Sequence, residues 1–142
     1  MLKALFRSLL SIFVFLYQRT GGKIGGHVQG LRVLLLTTTG RKTGKTRTTP
    51  LGYFEHDGGY VIIASNAGFD THPAWFHNLR SNPRVALQIQ DKQLAAIAEP
   101  AAPELRKQLW AKLVELAPGY KAYEKRTTRE IPLVILRPIY TT

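Results

Sequence analysis

Two strand-like segments, TTPLGYFEH (residues 48–56) and GGYVIIASN (residues 58–66), meet at an Asp57-Gly58 pair. Asp-Gly is a turn pair that accepts the positive φ angles of a two-residue hairpin, and the alternating apolar positions on either side suit strands. The middle of the chain is therefore expected to pair antiparallel. LRVLLLTTT (31–39) precedes it as a short branched run suited to a strand buried on both faces. RVALQIQ (84–90), LAAIAEP (94–100) and IPLVILRPI (131–139) supply three more strands. Only two helical patterns interrupt them, DTHPAWFHNLRSNP (70–83) and APELRKQLWAKLVELAPGY (102–120). Asp70 and Thr71 are the cap candidates of the first; Leu105, Leu109, Leu113 and Leu116 form the stripe of the second. Strands without regular strand–helix alternation argue against a doubly wound parallel sheet. The expectation is a mostly β (α+β) domain, an antiparallel sheet closed into a small barrel with helices packed outside.

At 142 residues, with 44% hydrophobic and 20% charged positions, the chain suits one globular domain with a real core. It contains no cysteine, which excludes disulfides, thiolate metal sites and thiol nucleophiles. Twenty Lys and Arg against nine Asp and Glu leave a formal charge of +11, which predicts attraction to an anion: nucleic acid, an anionic membrane or a phosphorylated cofactor.

The first twenty residues combine an apolar run with Lys3 and Arg7, without a small-residue cleavage site after Tyr17. Residues 2–17 as a helix would reach about 24 Å, short of a hydrocarbon core of about 30 Å. On a helix, Leu2, Leu5, Phe6, Leu9, Phe13 and Leu16 share one face, and Lys3, Arg7, Ser11 and Gln18 the other. That pattern fits a helix lying in a membrane interface, and equally a helix docked on the protein's own core. Glycines 21, 22, 25 and 26 then read as a flexible link. The organisation expected is an amphipathic helix (1–20), a glycine-rich linker (21–30) and the barrel domain (31–142).

LTTTGRKTGKTRTTP (36–50) approaches the phosphate-binding pattern G-x-x-x-x-G-K-[ST], but three residues rather than four separate Gly40 from Gly44. The loop also runs into another strand instead of a helix N-terminus, so nucleotide hydrolysis is not expected. What remains is four cations in seven residues, Arg41, Lys42, Lys45 and Arg47, amid threonine hydroxyls. Side-chain charges and backbone N–H groups on such a turn can surround a phosphate.

Elsewhere, catalytic apparatus is sparse. His27, His56, His72 and His77 lack the spacing of a helical metal pair, and G-x-S-x-G is absent, so neither a metal site nor a serine hydrolase is expected. Tyr120 and Tyr123 stand at helical i, i+3 spacing in polar surroundings, as core packing or as exposed rings closing over a ligand. An anion loop with aromatic neighbours and no nucleophile suits chemistry carried by a cofactor.

LLLTTTGRKTGKTRTTPLGY, VIIASNAGFDTHPAWFHNLRSNPRV and LVELAPGYKAYEKRTTREIPLVIL, in this order, resemble the deazaflavin-dependent nitroreductase family, also described as quinone reductases using reduced coenzyme F-420. The similarity spans about residues 31 to 139. It implies a split β-barrel of the flavin-binding type and hydride transfer to a quinone-like or nitroaromatic acceptor. It also implies that Arg41, Lys42 and Thr43, with Arg47, Thr48, Thr49, Pro50 and Leu51, hold the coenzyme's phosphate and oligoglutamate tail. Ile63, Ala64, Ser65 and Asn66 would run beside the deazaflavin ring. Ala74, Trp75, Phe76, His77 and Asn78 would continue the pocket. Tyr120 would lie near coenzyme and acceptor, and Tyr123 on the acceptor side; Ser65, Tyr120 and Tyr123 are the candidates to hydrogen-bond a developing oxyanion. Two positions depart from the family pattern: Asn66 replaces an expected lysine, and Ala117 an aromatic. The N-terminal segment resembles the family's membrane-associating leader, implying a cytoplasmic protein peripheral to the membrane's inner face. The alternatives are a non-catalytic deazaflavin carrier and the same fold using FMN. Nucleic acid is not expected as a partner, since its recognition motifs are missing.

Overall fold

The computed structural model describes residues 2–139. Met1 and residues 140–142, the last of the expected domain, lie outside the described residues. So do the side chains of Leu2, Lys3, Ala4, Phe6 and Arg7, and with them part of the expected amphipathic pattern.

In chain order the elements are α1 (Leu2–Thr20), β1 (His27–Val28), β2 (Leu31–Thr39), β3 (Thr46–His56), β4 (Gly59–Ile63), α2 (Ala74–Ser81), β5 (Arg84–Ile89), β6 (Lys92–Pro100), α3 (Pro103–Leu116), α4 (Tyr120–Arg126) and β7 (Leu133–Pro138). Every strand pairing is antiparallel. The order β1-β2-β3-β4-β7-β6-β5 closes on itself because β2 also pairs with β5 through Leu35–Gln88, Leu36–Leu87 and Thr37–Ala86. Six strands thus form a barrel, as expected, and the two-residue β1 extends one edge.

The hairpin at Asp57-Gly58 has φ of 51° and 77°, positive at both central residues as a two-residue turn between twisted strands requires. Pro50 lies in the part of β3 that pairs only with β2; β4 engages β3 from Tyr53 to His56, so the missing N–H costs no ladder bond on that side.

Strand alternation sorts the apolar residues into three layers. Leu34, Leu36, Ile62, Val134 and Leu136 fill the barrel with Trp75, Phe76 and Leu79 from α2. On the outer surface, Val61, Ile63, Leu133 and Ile135 pack under Leu109 and Leu113 of α3 and Tyr120 of α4. A third cluster joins Val33 and Leu35 of β2 to Phe13, Val14 and Tyr17 of α1. α1 therefore docks on the barrel, but along a face turned from the one expected. Leu5, Leu9 and Ile12 remain more than half exposed (59%, 57% and 55%), while Tyr17 is only 1% exposed.

Two other expectations change. Asp70 and Thr71 do not cap α2; the helix starts after Pro73, and Asp70 accepts a hydrogen bond from Thr127 Oγ1 (3.0 Å). Leu116 ends the α3 stripe in solvent, because the helix stops there and the chain turns into α4.

Tyr17 anchors α1 through its hydroxyl, which donates to Val33 O (2.7 Å) and accepts from Gln90 N (2.9 Å). Tyr17→Phe leaves both backbone groups without this partner. It is expected to lower the unfolding free energy by about 1–3 kcal/mol in urea denaturation, with the barrel unchanged.

Candidate functional site

The loop between β2 and β3 is a tight, internally bonded turn. Gly40 N donates to Lys45 O (2.7 Å), Gly44 N to Gly40 O (2.9 Å) and Lys45 N to Thr43 Oγ1 (3.2 Å). Arg41 N donates to Asn78 Oδ1 (3.2 Å). The amides of Gly40, Arg41, Gly44 and Lys45 thus already have protein acceptors. The side chains of Arg41, Lys42, Lys45 and Arg47 are exposed, so the positive charge of the turn faces solvent.

Asn78 links this turn to the core. It is buried on α2, and besides accepting from Arg41 it donates from Nδ2 to Thr38 Oγ1 (3.3 Å), itself buried in β2. Thr37 and Thr48 pair across β2 and β3 through their hydroxyls (2.8 Å). The result is a groove of about 890 Å3 bordered by Arg41, Lys42, Thr43, Thr46, Arg47, Thr48 and Thr49, with Ala74, Trp75 and Asn78 from α2. Its remaining border comes from α1, through Leu10, Ser11, Val14, Phe15 and Gln18, none of which the sequence reading had assigned to a site. Of the other candidates, Pro50 and Leu51 are half-buried further along β3, and Phe76 is a core residue.

A second cluster forms where β4 leaves the barrel. Ile63 packs under α3, Ala64 is buried in the barrel, and Ser65 and Asn66 emerge half-buried. Asn66 and Ala67 have φ of 47° and 56°. Asparagine tolerates this left-handed conformation better than most residues, and its Nδ2 ties back to Thr71 O (2.9 Å). The side chain at the expected lysine position therefore braces its own loop.

Arg129, which the sequence reading left without a role, organises this loop. It donates from Nε to Phe69 O (2.9 Å), from Nη1 to Ala64 O (3.1 Å) and from Nη2 to Ser65 O (2.7 Å). Nη1 also meets His72 Nδ1 at 3.0 Å. A guanidinium can only donate, so Nδ1 is the acceptor and a neutral His72 carries its proton on Nε2. Burial, followed by the charge of Arg129 and smaller effects of His77 and Arg80, holds His72 below the ordinary imidazole pKa. The His72 and His77 rings are 5.7 Å apart, closer than their helical spacing suggested, because His72 precedes α2. Among the described residues no group of three His, Asp or Glu could hold a metal.

Gly68 lets α4 approach: a side chain there would sit 3.0 Å from Arg126 Cβ. Tyr120 and Tyr123 on α4 stack edge to face at 5.4 Å. Tyr120 is buried in the α3 layer rather than exposed, and burial pushes its pKa up to about 12. Tyr123 is half-buried, and its hydroxyl accepts from Gln29 Nε2 (2.6 Å), leaving its own proton available to donate. Ala117 is buried beside Tyr120 at the end of α3.

Because His72 is neutral in the fold, the unfolded chain takes up its proton first as pH falls. Stability should therefore be lost from about pH 6.5 downward, toward the depressed folded value. Urea unfolding at pH 7.5 and 5 should show a smaller loss for His72→Gln than for the wild type. Arg129→Gln removes the fan of donors from converging carbonyls and should cost about 2 kcal/mol at neutral pH.

Residues 9–138 match the F420H(2)-dependent quinone reductase family. An F420H(2)-dependent quinone reductase of Mycobacterium tuberculosis is 39% identical over 132 residues, covering 90% of this chain and 89% of its own. A solved F420-H2 dependent reductase (FDR-A) is 40% identical, covers 74% of this chain and 93% of its own, and superposes with a TM-score of 0.67. A structure described as a domain-swapped dimer, 33% identical, covers 96% of this chain and all of its own (100%) at a TM-score of 0.71. These likenesses give no support to the FMN alternative. The chain belongs to the F420H(2)-dependent quinone reductase family.

Proposed function

We propose that the groove between the β2–β3 turn and α2 seats the phosphate and oligoglutamate tail of reduced coenzyme F-420, and that the chain reduces a quinone-like acceptor beside the Ser65 loop. The observation that carries this reading is the convergence of Arg41, Lys42 and Arg47 with the β3 threonines on one groove. Its volume lies within the usual ligand-pocket range of about 300–1,000 Å3. An exposed cation row with neighbouring hydroxyls matches a polyanionic tail in charge and donor chemistry. In functional terms, residues 31–139 form the coenzyme-binding unit, residues 21–30 a glycine strap and residues 2–20 the helix they tether.

The coenzyme supplies a hydride; the protein's task is to orient donor and acceptor and to stabilise charge on the acceptor oxygen. Arg129 fixes the Ser65 backbone, which sets where the Ser65 hydroxyl projects. Tyr120 keeps its proton throughout the physiological range, so it serves as a neutral donor or wall rather than as an acid. Tyr123, oriented by Gln29, is the second phenol on this side. A flat nitroaromatic is a second acceptor class compatible with this arrangement.

The acceptor's apolar character gives the exposed stripe of α1 a use. Among the described residues no helix is long and apolar enough to cross a membrane. Leu5, Leu9 and Ile12 can instead enter the lipid interface, drawn there with a chain of net charge +11. This would place the enzyme on the cytoplasmic face of the membrane, within reach of lipid-dissolved quinones.

Mixing the protein with reduced coenzyme and menadione should restore the oxidised coenzyme's absorbance at a rate proportional to enzyme; binding without turnover would instead identify a carrier. Arg41→Ala and Arg47→Ala should each weaken coenzyme binding about tenfold, equivalent to about 1.4 kcal/mol, in fluorescence titration at low salt, and less at high salt. A Leu5→Ser, Leu9→Ser, Ile12→Ser variant should no longer sediment with anionic vesicles while keeping its coenzyme affinity.

A further inference from the structure

We propose that α1 is the second wall of the coenzyme site: Ser11, Val14 and Gln18 close the groove over the anionic tail gripped by Arg41, Lys42 and Arg47. This rests on the reading of the groove given above and extends it to an element that the family resemblance marks as a membrane-associating leader.

α1 is built into the fold rather than appended to it. Its last turns are fixed by Tyr17, whose hydroxyl bridges Val33 O (2.7 Å) and Gln90 N (2.9 Å) across two strands of the barrel. The segment after it is a packed strap, not a flexible link. Gly22 N donates to Tyr17 O (2.9 Å), and Gly25, at φ +79°, lies against the Phe13 ring so closely that a Cβ would come within 2.6 Å of Phe13 Cζ. Only glycine combines that backbone conformation with that contact.

With α1 held this way, its residues divide by helical geometry. At about 100° per residue, Leu10 and Val14 point away from Leu5, Leu9 and Ile12. The first pair faces the groove and the second set faces solvent. The groove side brings Ser11 and Gln18, both exposed, to the same groove as the basic turn. α1 contains no Asp or Glu, so no carboxylate on this wall repels an anionic tail. Neutral hydroxyl and amide groups on one side and cations on the other make a channel that holds a flexible polyanion without neutralising it at every carboxylate. The wall is thus specific for the tail; a deazaflavin lacking phosphate and glutamates would not reach it.

The test uses the full chain with Ser11→Glu and Gln18→Glu. Both positions are exposed, so thermal unfolding should be unchanged. Affinity for the complete oxidised coenzyme should fall about tenfold or more and recover partly with salt. Affinity for the same deazaflavin cut back to its unphosphorylated riboflavin-like form should stay the same. Hydrogen exchange in residues 9–20 should slow with the complete coenzyme and not with the truncated one. Unchanged affinity in both Glu variants, or an equal loss for both ligands, would overturn the wall while leaving the function intact, provided Arg41→Ala still weakens the complete coenzyme. Failure of the wild type to bind the complete coenzyme would sink the wall and the function together.

Discussion

β2 is the strand on which the rest of the molecule depends. It is hydrogen-bonded to β3 along one edge and to β5 along the other, and without the second pairing the sheet would not close. Closure removes the exposed edges an open sheet would carry there and buries both faces of the strand. Leu34 and Leu36 point into the barrel, Val33 and Leu35 out against α1. Pairing on both edges ties the strand's register to two neighbours at once, through Leu35–Pro50 on the β3 side and Leu35–Gln88 on the β5 side. The basic turn that follows is tied to the same framework. Thr38, still within β2 and buried, meets Asn78, and Asn78 in turn accepts from Arg41 N. Four exposed cations are therefore presented from a turn whose backbone is hydrogen-bonded to itself and to α2.

Much of this was legible in the sequence because the relevant signals are local. The apolar run at 31–39, the Asp57-Gly58 turn and the succession of strands without helices led to an antiparallel barrel, and pattern alone distinguishes that from alternating strand–helix units. Closure itself is a long-range pairing of β2 with β5, and nothing in either segment announces it. The candidates around the basic turn converge with the first turn of α2 on one groove. The Ser65 and tyrosine candidates lie in a different cluster, joined to the first by the chain running into α2.

What sequence could not disclose depends on geometry between distant segments. Arg129 stands in TTREIP with no periodicity to mark it, yet four of its contacts hold residues 64–72. The glycines at 22 and 25 read as flexibility, since composition cannot distinguish a mobile link from backbone pressed against a ring. α1 presents the same difficulty in another form. Its apolar residues span a wide arc, and a helical projection cannot say which part of that arc another element will cover.

Burial also separates the two tyrosines that sequence treats as a pair. Tyr120 packs among Val61, Ile63 and Leu113, where ionisation would strand a phenolate in apolar surroundings, and its pKa rises to about 12. Tyr123, one helical turn on, keeps partial exposure and a polar partner in Gln29. A phenol held so far from ionisation is a poor proton source at neutral pH. In the proposed reaction its worth would lie in a hydrogen bond that strengthens as charge develops on the acceptor oxygen. The proton would then follow from solvent in the proposed transfer, because a hydride delivers both electrons at once and leaves no radical that must be protonated before it escapes.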